Sequence, residues 1–368
     1  IYDAGGGPSE HNLSCYLFKP HDESWANSTL ALDAAGSGIG ALQLLLQKQP
    51  DLFGRQLSAD GNFSVTYSSA QIFSWIRCFL ITHAHLDHVN SLALTAGSLS
   101  GSSKMVHGTR SCLQDIENIF SGRVWPRLAS WSAGDALPLT LQELEPNAAY
   151  VQVSENVSAR IMPVSHGRDH AMEVYDSSVF FIRHDSTQRE FLFFGDVEPD
   201  SISAQPRNRA VWRAAAGKIP HVLNTIFIEC SWPSGRADDS LYGHLNPEHL
   251  VQELKALAAE VASFRARPAD GSPGTNKAWP ECEAKPYKLD SEPGAVDGLL
   301  DGLRVYIIHC KDDIQGAYPQ PINQVIAEQV RALVENQRLG CDVIAVEQGM
   351  KICTSPHPMR SQRRLTLL

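Results

Sequence analysis

The chain has 368 residues, 43% of them hydrophobic and 20% charged, an ordinary globular balance with room for one large domain or two small ones. A net charge of −10 and an isoelectric point near 5.8 exclude the diffuse basic field that grips nucleic acid through its phosphates. No apolar run approaches the roughly 20 residues needed to cross a membrane. No signal peptide is evident either, so the cytoplasm is the expected compartment, although the first residue is Ile1 and not Met.

In chain order, "DAGGGPSE" lacks the G-x-G-x-x-G spacing of a phosphate-cradling loop and reads as a tight turn between strands, either pocket-lining or purely structural. "NLSCYLFKP" predicts a strand, and "STLALDAAGSGIGALQLLLQ" a strand, a glycine turn and a helix. "CFLIT" is a short continuous apolar strand of the fully buried kind. "SARIMPVSH", "SSVFFIRHD", "REFLFFGD", "NTIFIECS" and "LRVYIIHCKD" follow as strands ending in polar residues or glycine. The main helices are predicted in "NPEHLVQELKALAAEVASFRA" and "PINQVIAEQVRALVENQRLG". Strands interleaved with helices indicate a layered α/β sandwich, read as one domain over residues 1–368. Residues 267–297, rich in Pro, Gly and charge, read as an inserted surface loop. The eight cysteines form no C-x-x-C pair, and several sit in apolar runs, which suits reduced core thiols.

Chemistry concentrates in "FLITHAHLDHVNSLALTAG", where His83, His85, Asp87 and His88 fall within six residues. In extended chain after "CFLIT", His83 and His85 point to one side, and Asp87 and His88 open a helix. Imidazole nitrogen with carboxylate oxygen suits zinc, with manganese or iron also compatible. His166 in "MPVSHG", Asp196 in "FLFFGD" and His309 in "VYIIHCK" follow apolar runs, where an α/β sheet places its ligands. Five histidines and two aspartates are one too few for two separate tetrahedral sites. Sharing Asp196 and adding one hydroxide corrects the count and gives a two-metal arrangement suited to hydrolysing phosphate esters.

The H-x-H-x-D-H pattern with isolated His, Asp and His at later strand ends resembles the metallo-β-lactamase superfamily. That resemblance implies an αββα sandwich of mixed sheets with the metal site at one edge. "THAHLDHVNSLAL", "IECSW" and "YGHLNPEHL" are more narrowly similar to the class II cyclic nucleotide phosphodiesterases, with matches in family order from about residue 3 to 350. The resemblance implies two divalent ions, with His83, His85 and His166 on one, Asp87, His88 and His309 on the other, and Asp196 bridging. It implies a small cyclic nucleotide as partner, 3′,5′-cyclic AMP being opened to 5′-AMP by a metal-bridging hydroxide. Cyclic GMP is not distinguished, and the oligomeric state, a homodimer included, is left open.

Two residues carry two readings each. His244 lies just before a helix with Asn246 as N-cap, Pro247 in the first position and a Leu245–Leu250 staple. It is either the proton donor to the departing 3′ oxygen or a solvent-facing loop histidine. Lys311, two beyond His309, either contacts a phosphate oxygen or is a surface lysine. The rival functions are a tRNA-processing endonuclease, a glyoxalase-type thioesterase or lactonase, and an inactive metal-binding scaffold. The acidic chain lacks the basic arm the first needs, and seven intact ligands disfavour the last.

Overall fold

A computed structural model describes residues 3–58, 61, 64–98, 101–267 and 297–354. The predicted insertion at 267–297 therefore lies outside the described residues except at its two ends. Two seven-stranded sheets make up most of the strand structure. The first runs Asp3–Ala4, Ser14–Phe18, Leu30–Leu32, Cys78–Leu80, Lys104–Gly108, Leu139–Glu143, Ala129–Ser130 in spatial order. Its first two pairings are antiparallel and the others parallel. The second follows chain order: Val151–Ser154, Val157–Arg168, Val174–His184, Arg189–Phe194, Leu223–Glu229, Arg304–Ile308, Asp342–Ala345. Here three antiparallel pairings are followed by three parallel ones.

Strand alternation explains the layering. Successive side chains point to opposite faces, so a strand that is apolar throughout must be covered on both sides. In Cys78–Leu80, Phe79 packs with the outer helices while Cys78 and Leu80 face the second sheet. In Arg189–Phe194, Leu192 and Phe194 turn to the helices and Phe193 turns to the first sheet. Helices Ile39–Lys48, Leu86–Ala96 and Arg110–Ile119 cover the first sheet. Asn208–Ala216, Pro247–Arg265 and Ile322–Asn336 cover the second. The result is the expected αββα sandwich. Seven described cysteines are free and six of them are buried, as core thiols should be. Among the described residues no helix is long and apolar enough to cross a membrane.

The three parallel strands Arg189–Phe194, Leu223–Glu229 and Arg304–Ile308 end together, which brings their following residues to one edge. The opening glycines close that edge from the other sheet. Gly6 N–H donates to Cys310 O at 2.9 Å, and His309 N–H to Ala4 O at 2.8 Å. A Cβ on Gly6 would meet His309 O at 2.6 Å, so this turn tolerates glycine alone beside the site.

Trp212 anchors helix Asn208–Ala216 to the second sheet. It is fully buried, its ring lies 5.0 Å from that of Phe194, and its Nε1–H donates to Glu253 Oε2 at 2.7 Å. Trp212→Ala should cost about 3–5 kcal/mol in denaturant unfolding. A loss below about 1 kcal/mol, the range of tolerated swaps, would mean that this helix does not depend on the contact.

Candidate metal centre

His83 and His85 lie in the link after Cys78–Leu80, and His85 is the N-cap of helix Leu86–Ala96. The predicted "CFLIT" strand stops two residues early. Asp33 causes this: its Oδ1 accepts the Thr82 N–H at 2.8 Å in place of a ladder bond. Asp87 and His88 occupy the first turn of the helix, as expected. His166 is inside strand Val157–Arg168 instead of beyond it, at a register shift between Ser165 and Arg168. Asp196 lies two residues past Arg189–Phe194, and His309 directly follows Arg304–Ile308.

These seven side chains converge in two groups that share one carboxylate. His83, His85, His166 and Asp196 place one atom each within 4.8 Å of one another, and so do Asp87, His88, Asp196 and His309. Asp196 Oδ2 lies 3.1 Å from His309 Nε2, 3.2 Å from His88 Nε2, 3.7 Å from His166 Nε2 and 3.8 Å from His83 Nε2. All but His85 and Asp87 in this set are buried.

The outer ring nitrogens are anchored so that the inner ones face the centre. His88 Nδ1–H donates to Asp33 Oδ2 at 2.8 Å, and His166 Nδ1–H to the Gly243 carbonyl at 2.7 Å. Thr82 Oγ1 donates to Asp33, so it accepts from His83 Nδ1–H at 3.0 Å. His309 Nδ1 meets Ser14 Oγ at 2.9 Å, and His85 stacks on Tyr175 with centroids 4.3 Å apart. Such outer partners fix tautomer and ring direction for a ligand.

The inner atoms then fit divalent ions. His88 Nε2 is fully buried and makes no hydrogen bond of proper geometry, despite its closeness to Asp196. His83 Nε2 and His85 Nδ1 face each other at 3.2 Å, two nitrogens presented to the same point. Burial drives His83, His85 and His309 towards the neutral form that ligates, and pushes His166 down to about 3. Burial opposes charge on His88 too, but Asp196 and Asp33 outweigh it and hold the imidazole well above its usual range. Burial alone would raise Asp196, yet His309, His88 and His244 hold it well below the usual carboxylate range. An ionised carboxylate ringed by imidazole nitrogens is the chemistry of a divalent-metal site.

His244 and Lys311 join the same place. His244 is buried before helix Pro247–Arg265, where Asn246 is the N-cap and Leu245 and Leu250 are fully buried in one cluster. Its Nδ1 lies 2.8 Å from Glu229 Oε1 and 3.8 Å from Asp196 Oδ2, so the solvent-facing reading falls. Burial opposes its charge, but Glu229 and then Asp196 raise its pKa. Lys311 Nζ lies 3.4 Å from Asp87 Oδ2 and 3.2 Å from His309 Nε2. Sequence reasoning missed Asp33 and Glu229. Asp33 follows an apolar strand in "LALDAAG" as Asp196 does in "FLFFGD", and Glu229 closes the strand "NTIFIE"; both carried the signal used for the ligands.

The sequence profile of the class-II cAMP phosphodiesterases matches residues 60–349. The chain belongs to that family. It is 32% identical over 282 residues to the 3′,5′-cyclic-nucleotide phosphodiesterase of Schizosaccharomyces pombe, covering 72% of this chain and 76% of that one. The like-named enzyme of Aliivibrio fischeri is 29% identical over 255 residues, covering 68% and 72%. The crystal structure of unliganded yeast PDE1 superposes with a TM-score of 0.72 at 21% identity, over 95% of this chain and 97% of that one. The metallo-β-lactamase fold protein YhfI of Bacillus subtilis gives 0.51 at 12% identity over 95% and 96%, which establishes the shared fold. As a class-II phosphodiesterase the chain is an enzyme, and the endonuclease, thioesterase and scaffold readings are set aside.

Asp33 is buried behind His88, so its removal isolates ligand orientation. Asp33→Asn should weaken metal retention by about 10–100-fold in competition with a chromophoric chelator. Unchanged retention in a folded variant would show that His88 holds its orientation without Asp33.

Proposed function

We propose that the centre is binuclear and opens the cyclic phosphodiester of 3′,5′-cyclic AMP to 5′-AMP. The observation that carries the reading is Asp196, whose single buried carboxylate belongs to both donor groups. His83, His85 and His166 would hold one ion, and Asp87, His88 and His309 the second, with Asp196 serving both. The nitrogen-rich donor set suits zinc, and manganese or iron are compatible with it. When bound, such ions supply Lewis acidity that lowers the pKa of water and takes up charge on phosphoryl oxygens.

The chain's own residues then have separable tasks. Lys311, a cation beside Asp87 and His309, binds a non-bridging phosphate oxygen. His244 gives a proton from Nε2 to the 3′ oxygen as its bond to phosphorus breaks, and water supplies the oxygen that phosphorus gains. Glu229 supports that step in two ways: it accepts the Nδ1–H and favours the imidazolium. Its remaining oxygen is engaged by Ser231 Oγ at 2.7 Å, which keeps the pair in place. The reading treats the chain as one domain and gives no catalytic task to the insertion between residues 267 and 297.

Asp196→Ala should lose metal from both groups, and elemental content should fall from near two equivalents towards none with turnover abolished. Retention of two equivalents would remove Asp196 from its shared role. His244→Ala should keep the metals while turnover of cyclic AMP falls about 10²–10⁴-fold, the usual worth of general acid catalysis. A p-nitrophenyl phosphodiester, whose leaving group needs no proton, should lose far less in the same variant. Equal losses on both esters would make His244 a phosphate-holding residue and not the acid.

A further inference from the structure

A sizeable cavity lies away from the metal centre. It occupies about 730 Å³ between the two sheets, and none of the nine candidate site residues lines it. Strand Arg189–Phe194 relates the two places: Arg189, Glu190 and Phe191 line the cavity, and the chain reaches Asp196 at the other end. Seven steps of extended chain put Arg189 and Asp196 roughly 23 Å apart.

The inner wall is aromatic. Tyr16 and Phe193 pack edge-on at 5.0 Å, Phe18 and Phe191 at 5.6 Å, and Phe227 lies against both Phe191 and Phe193. The lining carries more cations than carboxylates: Lys19, Arg183, Arg189 and Lys351 against Asp22 and Glu190. Glu190 is matched by Lys218 at 2.7 Å and Arg183 by Asp185 at 2.9 Å. Lys19 donates only to the carbonyls of Pro20 and His21, and the Arg189 guanidinium makes no hydrogen bond or ion pair among the described residues. Lys351 adds a further cation on the wall, its field shared with Asp51. Asp22, exposed and 3.6 Å from His184, is the one lining carboxylate not matched by a lysine or arginine. In a chain of net charge −10, such a local excess of cations over an aromatic interior is not background composition.

We infer that this cavity is a second binding site, for an amphiphile with an extended apolar body and one anionic head of the fatty-acid type. The volume lies within the roughly 300–1,000 Å³ of small-molecule sites, and an apolar lining with a few convergent charges is their usual chemistry. The apolar body fills the aromatic interior, and Arg189 with Lys19 receives the head. Tyr16 forms the partition between the two sites. It lines the cavity and packs on Phe193, while Ser14, two residues earlier in the same strand, meets His309 Nδ1 at 2.9 Å.

Calorimetric titration of the metal-loaded full chain with dodecanoate and with dodecan-1-ol tests this below their aggregation limits. Saturable binding of one dodecanoate, at least tenfold tighter than the alcohol and not displaced by inorganic phosphate, is expected. Arg189→Glu, with metal content and turnover unchanged, should abolish the preference for the acid. No saturable binding, displacement by phosphate, or equal affinity for acid and alcohol would each overturn the assignment. Binding that appears only after residues 355–368 are deleted would also overturn it, and would make that segment the occupant.

Discussion

The structure depends on one buried carboxylate. Asp196 lies where three parallel strands end, with four imidazole Nε2 atoms within 3.8 Å of its Oδ2. In a folded chain without compensating charge such a group would be driven neutral. Here His309, His88 and His244 hold it ionised, and the donors around it are turned inwards by bonds made elsewhere. The fold accordingly does more than carry these residues. The inter-sheet core fixes the strand ends, and the strand ends fix the distances between ligands from both sheets.

That positioning is paid for in backbone strain. Asp33 and His309 both have positive φ, at 56° and 58°, and both belong to the centre, Asp33 through His88. A non-glycine residue in this region costs on the order of 1–3 kcal/mol and persists where the surroundings over-determine it. His309 is held by its N–H to Ala4 O and by Ser231 Oγ donating to its carbonyl at 3.0 Å. Asp33 is held by three donors, the Thr82 N–H, the Thr82 hydroxyl and the His88 Nδ1–H. The same hydrogen bonds that absorb the strain aim the ligands, so orientation and backbone geometry are one constraint.

Much of this was legible in the sequence, because the candidate ligands follow apolar strands and have few other reasons to be there. The layering was legible for the same reason: "FLFFGD" and "VYIIHC" are apolar on both faces and must be covered twice. Lys104–Gly108 and Asp342–Ala345 were not read, since their polar ends blur a short strand's pattern. Asp33 and Glu229 escaped because carboxylates that orient a ligand carry the same local signature as turn residues. His249 shows the converse. It has no place in the centre, and its burial is explained by its Nε2 lying 2.8 Å from Asp238 Oδ1.

In the reaction proposed, this centre delivers a water oxygen to phosphorus and expels the 3′ oxygen. Phosphorus NMR of the metal-loaded protein with 3′,5′-cyclic AMP in ¹⁸O-enriched water tests it most directly. The expected result is a single product, 5′-AMP, whose phosphate carries one ¹⁸O and the isotope shift that marks it. Unchanged cyclic AMP, formation of 3′-AMP, or 5′-AMP without label on phosphorus would contradict the account.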